Sequence, residues 1–144
     1  FDAQRARCGE ATAHGLRAAT ADEVTARIGG GRHAAVLLCG QSHVPRILPL
    51  PGGALVVNPG SVGLPAYDDA HPLPHWVEND GPQARWALLE RDVGGRWSAR
   101  LRATGYDHAH AARRAEAHHR GDWADALRTG RVGRTEREAL APRP

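Results

Sequence analysis

The stretch Ala34-Ala35-Val36-Leu37-Leu38-Cys39-Gly40-Gln41-Ser42-His43 decides how the rest of the chain is read. Its first six residues are continuously apolar, the pattern of a strand covered on both faces rather than of one with a wet side. Arg32-His33 and Gly40 bound the run, leaving it too short for a stable helix. The loop that follows carries Gln41 and His43 at the C-terminal end of the strand, where open α/β folds place their chemistry. Imidazole is the commonest divalent-metal ligand and titrates near neutrality when unperturbed; a loop histidine held by a backbone hydrogen bond is the plainer reading of His43. Gln41 offers a neutral amide oxygen, a poor donor to a transition metal beside imidazole or carboxylate.

A central strand needs a neighbour on each side. Arg46 to Leu50 and Ala54 to Val57 supply one side, as two strands joined by Pro51-Gly52-Gly53, a hairpin with a Gly-containing turn. Pro49 has no N–H to donate and belongs at an edge or strand end. The loop Asn58-Pro59-Gly60-Ser61 then has two readings. Gly60 and Ser61 can present backbone N–H groups to an anion, or Asn-Pro-Gly is a tight turn in which Pro presets φ and Gly accepts a positive one.

On the N-terminal side, Thr20-Ala21-Asp22-Glu23 is a capping box, with Glu three residues after a Thr N-cap. It opens a helix over 21–28 that Gly29-Gly30-Gly31 stop. Residues 1–19 have no clean period and read as an irregular segment or frayed helix. On the C-terminal side, Gly63 to Pro82 is rich in Pro, Gly and Asp and reads mostly as loop. Residues 83–92 and 96–103 flank Val93-Gly94-Gly95, and the second run alternates Trp97, Ala99, Leu101 and Ala103 with polar residues, so an antiparallel hairpin is expected. Trp86 and Trp97 on its two strands are candidates for a cross-strand pair. Asp107 caps a helix to about His119, and Asp122 caps a second over 123–128 that Gly130 ends. Residues 131–144 read as a disordered tail.

Composition narrows the function classes. The chain has 144 residues, one domain by size, and no apolar run long enough for a membrane span. All 19 basic residues are Arg against 16 acidic ones. From Arg128 onward five Arg face two Glu, which alone gives the net +3. The remainder is near neutral, and no aromatics interleave with the tail arginines as a single-strand nucleic-acid binder requires. Nucleic acid is therefore a poor candidate partner. The two cysteines, Cys8 and Cys39, have no metal or redox spacing, which suits a cytoplasmic, reducing compartment. A chain that opens on Phe1 and contains no Met is expected to be a processed or partial product.

Among other chemistry-bearing residues, His108 and His110 are two apart on a helix and do not share a face. His118 and His119 diverge, and a surface role is expected for all four. His14 and His33 belong to no motif. Asp68 and Asp69 read as solvated neighbours, and Trp76, Trp86, Trp97 and Trp123 as packing residues.

Gly40-x-x-His43 after an apolar strand, then a hairpin, then Val57-Asn58-Pro59-Gly60-Ser61-Val62-Gly63, resembles the C-terminal part of calcineurin-like metallophosphoesterases, in particular the small bacterial phosphodiesterase branch. The resemblance runs from about Thr20 to Leu127. It implies a mixed α/β (α+β) fold: residues 20–130 as the C-terminal portion of a two-sheet sandwich with flanking helices. It further implies two divalent metals (Mn²⁺, Fe²⁺, Zn²⁺ or Ni²⁺) that hold a phosphoester and activate a hydroxide. The family's Gly-His-x-His motif places His43 as a metal ligand and Gln41 at a position where the family has His. The family's earlier Asp-x-His, Gly-Asp and Gly-Asn-His motifs are not present. The function implied is that of a portion of a metal-dependent phosphoesterase acting on a small phosphoester, inactive as this chain alone and binding no metal tightly by itself. The alternative is a non-catalytic phosphoesterase-fold scaffold or protein-binding module. Substrate, metal and oligomeric state stay open.

Overall fold

A computed structural model describes residues 9–12, 15–29 and 34–133. The expectations for Cys8, His14, His33, Gly30-Gly31 and residues 134–144 lie outside the described residues.

The described chain is a mixed α+β arrangement of small sheets and three helices. Strands β1 (Gly9–Thr12) and β2 (Gly15–Ala18) form an antiparallel hairpin. This corrects the irregular reading for residues 9–12 and 15–18, where a ladder forms although the sequence shows no alternation; residues 1–8 lie outside the described residues. Helix α1 (Ala21–Ile28) follows, and its capping box is complete, with the Thr20 side chain on the Glu23 N–H and the Glu23 carboxylate on the Thr20 N–H. Strands β3 (Val36–Leu38), β4 (Arg46–Pro49) and β5 (Leu55–Asn58) make a three-stranded sheet in the order β3-β5-β4. β3 runs parallel to β5 and β4 antiparallel to it. Pro49 ends edge strand β4, opposite Leu55, where its missing N–H does no harm.

The centre of this sheet is β5, not the 34–39 run. Val56, Val57 and Asn58 are fully buried. Ala34 and Ala35 are exposed and precede the strand, and Leu38 is 53% exposed. The apolar run thus forms an edge strand, covered mainly on one side, rather than a strand buried on both faces. Register explains the difference. Leu37 lies beside Val56 and Leu48 on one face, and α1 covers that face through Val24 and Ile28. Leu38 shares the opposite face with Val57 and Ile47.

Strands β6 (Ala66–Asp69) and β7 (His75–Glu78) form a hairpin inside the segment expected to be mostly loop. Its alternation is hidden by polar residues, because Tyr67, Asp68 and Asp69 face a partly wet surface. Strands β8 (Ala84–Arg91) and β9 (Trp97–Thr104) form the expected long hairpin, and β9 lies against β4 and β5. The tryptophans do not pair: Trp86 is opposite Arg102 and Trp97 opposite Arg91. Trp86 instead donates its indole N–H to Thr104 and is 43% exposed, so it is not a core residue.

Helix α2 (His108–Ala117) is capped by Asp107, whose carboxylate accepts the His110 N–H. Helix α3 (Gly121–Thr129) begins one residue before Asp122. Asp122 therefore sits in the first turn, paired with Arg120, instead of capping the helix. The two helices meet through Ala112, Ala124 and Leu127, the two alanines letting the backbones approach closely and the leucine filling the contact. Gly130 ends α3 in the left-handed conformation. Any Cβ there would strike the Gly81 backbone at 2.6 Å. Beyond it, Val132 is buried against Ala66 and Ala126 and donates its N–H to Glu78. Val132 is thus packed within a stretch that reads as tail in the sequence.

Candidate functional site

The two loops singled out in the sequence meet, and the residue that joins them is Asn58. Its side chain is fully buried at the end of β5. The amide nitrogen donates to the Gly40 carbonyl at 3.1 Å and to Ser42 Oγ at 3.0 Å. The amide oxygen accepts the Gly60 N–H at 3.0 Å. One side chain therefore uses donors and acceptor together to bind the loop after β3 to its own turn. Ser61 Oγ accepts the Leu64 N–H, and the Ser61 carbonyl accepts the Arg85 N–H. The Gly60 N–H is thus taken up by the Asn58 side chain, and Ser61 Oγ by the Leu64 N–H. Gly60 has φ +94°, and a Cβ there would lie 2.9 Å from Arg85 Cβ and 3.4 Å from the His43 carbonyl oxygen.

Gln41 and His43 both have left-handed backbones, φ +64° and +55°. Such conformations are uncommon outside glycine and persist where surrounding contacts over-determine them. Here the contacts are specific. The His43 carbonyl accepts from Asn79 Nδ2, which also donates to Pro65. His43 Nδ1 lies 3.0 Å from the Leu64 carbonyl oxygen. A carbonyl can only accept, so Nδ1 carries a proton, and in the neutral imidazole Nε2 is then the nitrogen with the lone pair. Metal-binding histidines are held in this way, with the other ring nitrogen fixed by a backbone or carboxylate partner. Gln41 is exposed at its side chain, and its carbonyl accepts the Tyr67 hydroxyl at 3.3 Å.

Tyr67 stands edge-on to His43 with ring centres 5.1 Å apart, and edge-on to His75 at 6.2 Å. Burial, and secondarily the Asp69 carboxylate, raise the Tyr67 hydroxyl above its ordinary pKa of 10.0. It stays a neutral donor throughout the physiological range. His75 is 5% exposed and also gives its Nδ1 proton to a carbonyl, that of Leu73.

His43 and Gln41 border a cavity of about 260 Å³. Its other walls come from β6 (Ala66, Tyr67, Asp68), the start of α3 (Arg120, Asp122, Trp123) and Val132. Of the residues marked out in the sequence, His43, Gln41, Asn58, Gly60 and Ser61 are brought into one neighbourhood. His108, His110, His118 and His119 remain apart on or just after α2. Tyr67, Asn79 and the α3 residues were not marked. Tyr67 and Asn79 lie in what reads as loop, and no local signal ties α3 to a loop some eighty residues earlier.

The donor set fits one metal-ligand position. His43 offers a fixed imidazole with a free Nε2, while among the described residues no three His, Cys, Asp or Glu side chains converge as a metal site would require. Among the described residues no helix is long and apolar enough to cross a membrane. No protein-family profile and no curated protein matches the chain.

Proposed function

We propose that the chain is the C-terminal portion of a metal-dependent phosphoesterase, in which His43 supplies one metal ligand through Nε2. The observation that carries the reading is the His43–Leu64 hydrogen bond, which fixes the tautomer and leaves Nε2 free at the edge of a cavity. A divalent metal, when bound, supplies a Lewis acid for the phosphoryl oxygens and lowers the pKa of a bound water. Asn58 and Asn79 hold the His43 loop from both sides. Tyr67 fixes the Gln41 carbonyl and shields one edge of the imidazole. Gln41 contributes at most a neutral oxygen, so the loop offers one strong ligand and not two.

The test has two arms. Zn²⁺ titration followed by NMR of ¹⁵N-labelled histidines is expected to shift Nε2 of His43 with weak, millimolar-range affinity, and the shift is expected to vanish in His43→Ala. Bis-p-nitrophenyl phosphate with Mn²⁺ is expected to show no turnover by this chain. Robust turnover lost in His43→Ala would contradict the single-ligand assignment. No metal response at His43 in the folded chain would leave the scaffold reading in its place.

A further inference from the structure

The cavity beside His43 has a character the metal reading does not explain. Its volume, about 260 Å³, lies just under the roughly 300–1,000 Å³ of ordinary small-molecule pockets. That is room for one substituent rather than a polymer. Leu64, Ala66, Ala126 and Val132 back its apolar side, the last three almost fully buried against one another, and Gln41, His43, Asp68 and the Arg120–Asp122 pair make the other side polar. Trp123 is the largest flat side chain in its lining. The Arg120 guanidinium covers this indole at 4.9 Å from its centre and is itself gripped by Asp122 at 2.9 and 2.6 Å. The ring is thereby held before any ligand arrives, which removes part of the ordering cost of binding.

Charge decides what sits inside. Arg120 and Asp122 neutralise one another, leaving the exposed Asp68 carboxylate as the uncompensated charge in the lining. A bare anion is disfavoured there, whereas a neutral planar group is not; an anionic phosphoryl group fits only where a cation bound at His43 offsets the Asp68 charge. The polar end, with His43 and the Tyr67–Gln41 pair, lies against the same space.

We infer that this cavity receives the planar apolar substituent of a small phosphoester, an aryl or comparable flat ring, with Trp123 as its stacking wall and the phosphoryl group directed toward His43. Calling the ligand a substrate rests on the phosphoesterase reading; the cavity and its preference for a flat apolar group do not.

The experiment titrates the 144-residue chain with phenol, phenyl phosphate and inorganic phosphate by saturation-transfer NMR, with and without Zn²⁺. Phenol and phenyl phosphate are expected to bind competitively, and inorganic phosphate not to displace phenol. Trp123→Ala is expected to weaken aryl binding tenfold or more, while Trp123→Phe, which keeps a flat wall, retains it. Absence of saturable aryl binding overturns the inference, as does unchanged binding in Trp123→Ala when that variant has a native circular dichroism spectrum. The two readings fail separately. Aryl binding with no Zn²⁺ response at His43 supports the cavity and removes the phosphoesterase. A Zn²⁺ response at His43 without aryl binding keeps the phosphoesterase and removes the cavity assignment.

Discussion

At the scale of single residues, Asn58 and Gly60 decide whether the site exists. Asn58 is buried and its three hydrogen bonds connect two loops that no regular ladder joins at that point. Asn58→Ala takes the acceptor from the Gly60 N–H and empties a fully buried position, while the Gly40 carbonyl keeps the Ser42 N–H; a buried group left unpaired costs about 1–3 kcal/mol. A loss of roughly 2–4 kcal/mol is expected by urea denaturation, with the His43 resonances losing their native shifts. Gly60→Ala combines a φ of +94° with a 2.9 Å approach to Arg85 Cβ. It is expected to cost on the order of 1–3 kcal/mol in the same measurement. Both loops stand out in the sequence, because Gly, Pro and Asn cluster there. That the Asn side chain points inward to clamp the other loop does not, since an Asn-Pro-Gly turn specifies a local bend and not its distant partner. The same limit hid Tyr67, Asn79 and Trp123, each brought to His43 only by packing between elements.

At the scale of elements, local signals carried far. The α1 capping box is formed as the residues predict, and Thr20→Ala is expected to lower stability by about 1 kcal/mol. Its Glu23 carboxylate also binds Arg17, with Oε1 2.6 Å from Nη2, and this pairing above all, with the Thr20 N–H, pulls its pKa from 4.5 to about 2. The folded state thus holds fewer protons on Glu23 than the unfolded chain does between those values. The contribution is fully present above about 4.5 and is lost as pH falls through about 2. Melting temperatures of the wild type and Glu23→Gln are therefore expected to differ at pH 6 and to converge toward pH 2. The gap is expected to narrow in high salt, because both partners are at the surface. The β8–β9 hairpin was equally legible, since Trp97, Ala99, Leu101 and Ala103 keep strict period two. The β6–β7 hairpin was not: Ala66-Tyr67-Asp68-Asp69 has the composition of a loop and becomes a strand only because His75–Glu78 pairs with it.

At the scale of the whole molecule, the apolar run 34–39 was given the right element and the wrong place. A continuous apolar hexapeptide suits a strand with cover on both faces, yet here β5 is flanked on both sides and β3 on one. Among the described residues no strand pairs with the outer edge of β3. An edge of this kind offers unpaired N–H and C=O groups. The pairing pattern says which amides are involved. Cys39 donates to the Val57 carbonyl, and Leu55 donates to the Ala35 carbonyl. Amides alternate in direction along a strand, so the Leu38 N–H points away from β5. Hydrogen exchange followed by NMR is therefore expected to rank the sheet from its centre outward. Val56 and Val57 should be slowest, exchanging with global unfolding. Cys39 should be intermediate, and Leu38 on the order of 100-fold faster than Cys39 because it is released without breaking the sheet. Leu38 protected as strongly as Val57 would mean that something covers this edge in solution, either a second copy or a segment outside the described residues. Dilution distinguishes these two: protection that falls with concentration belongs to a second copy, whereas protection that does not belongs to the chain itself.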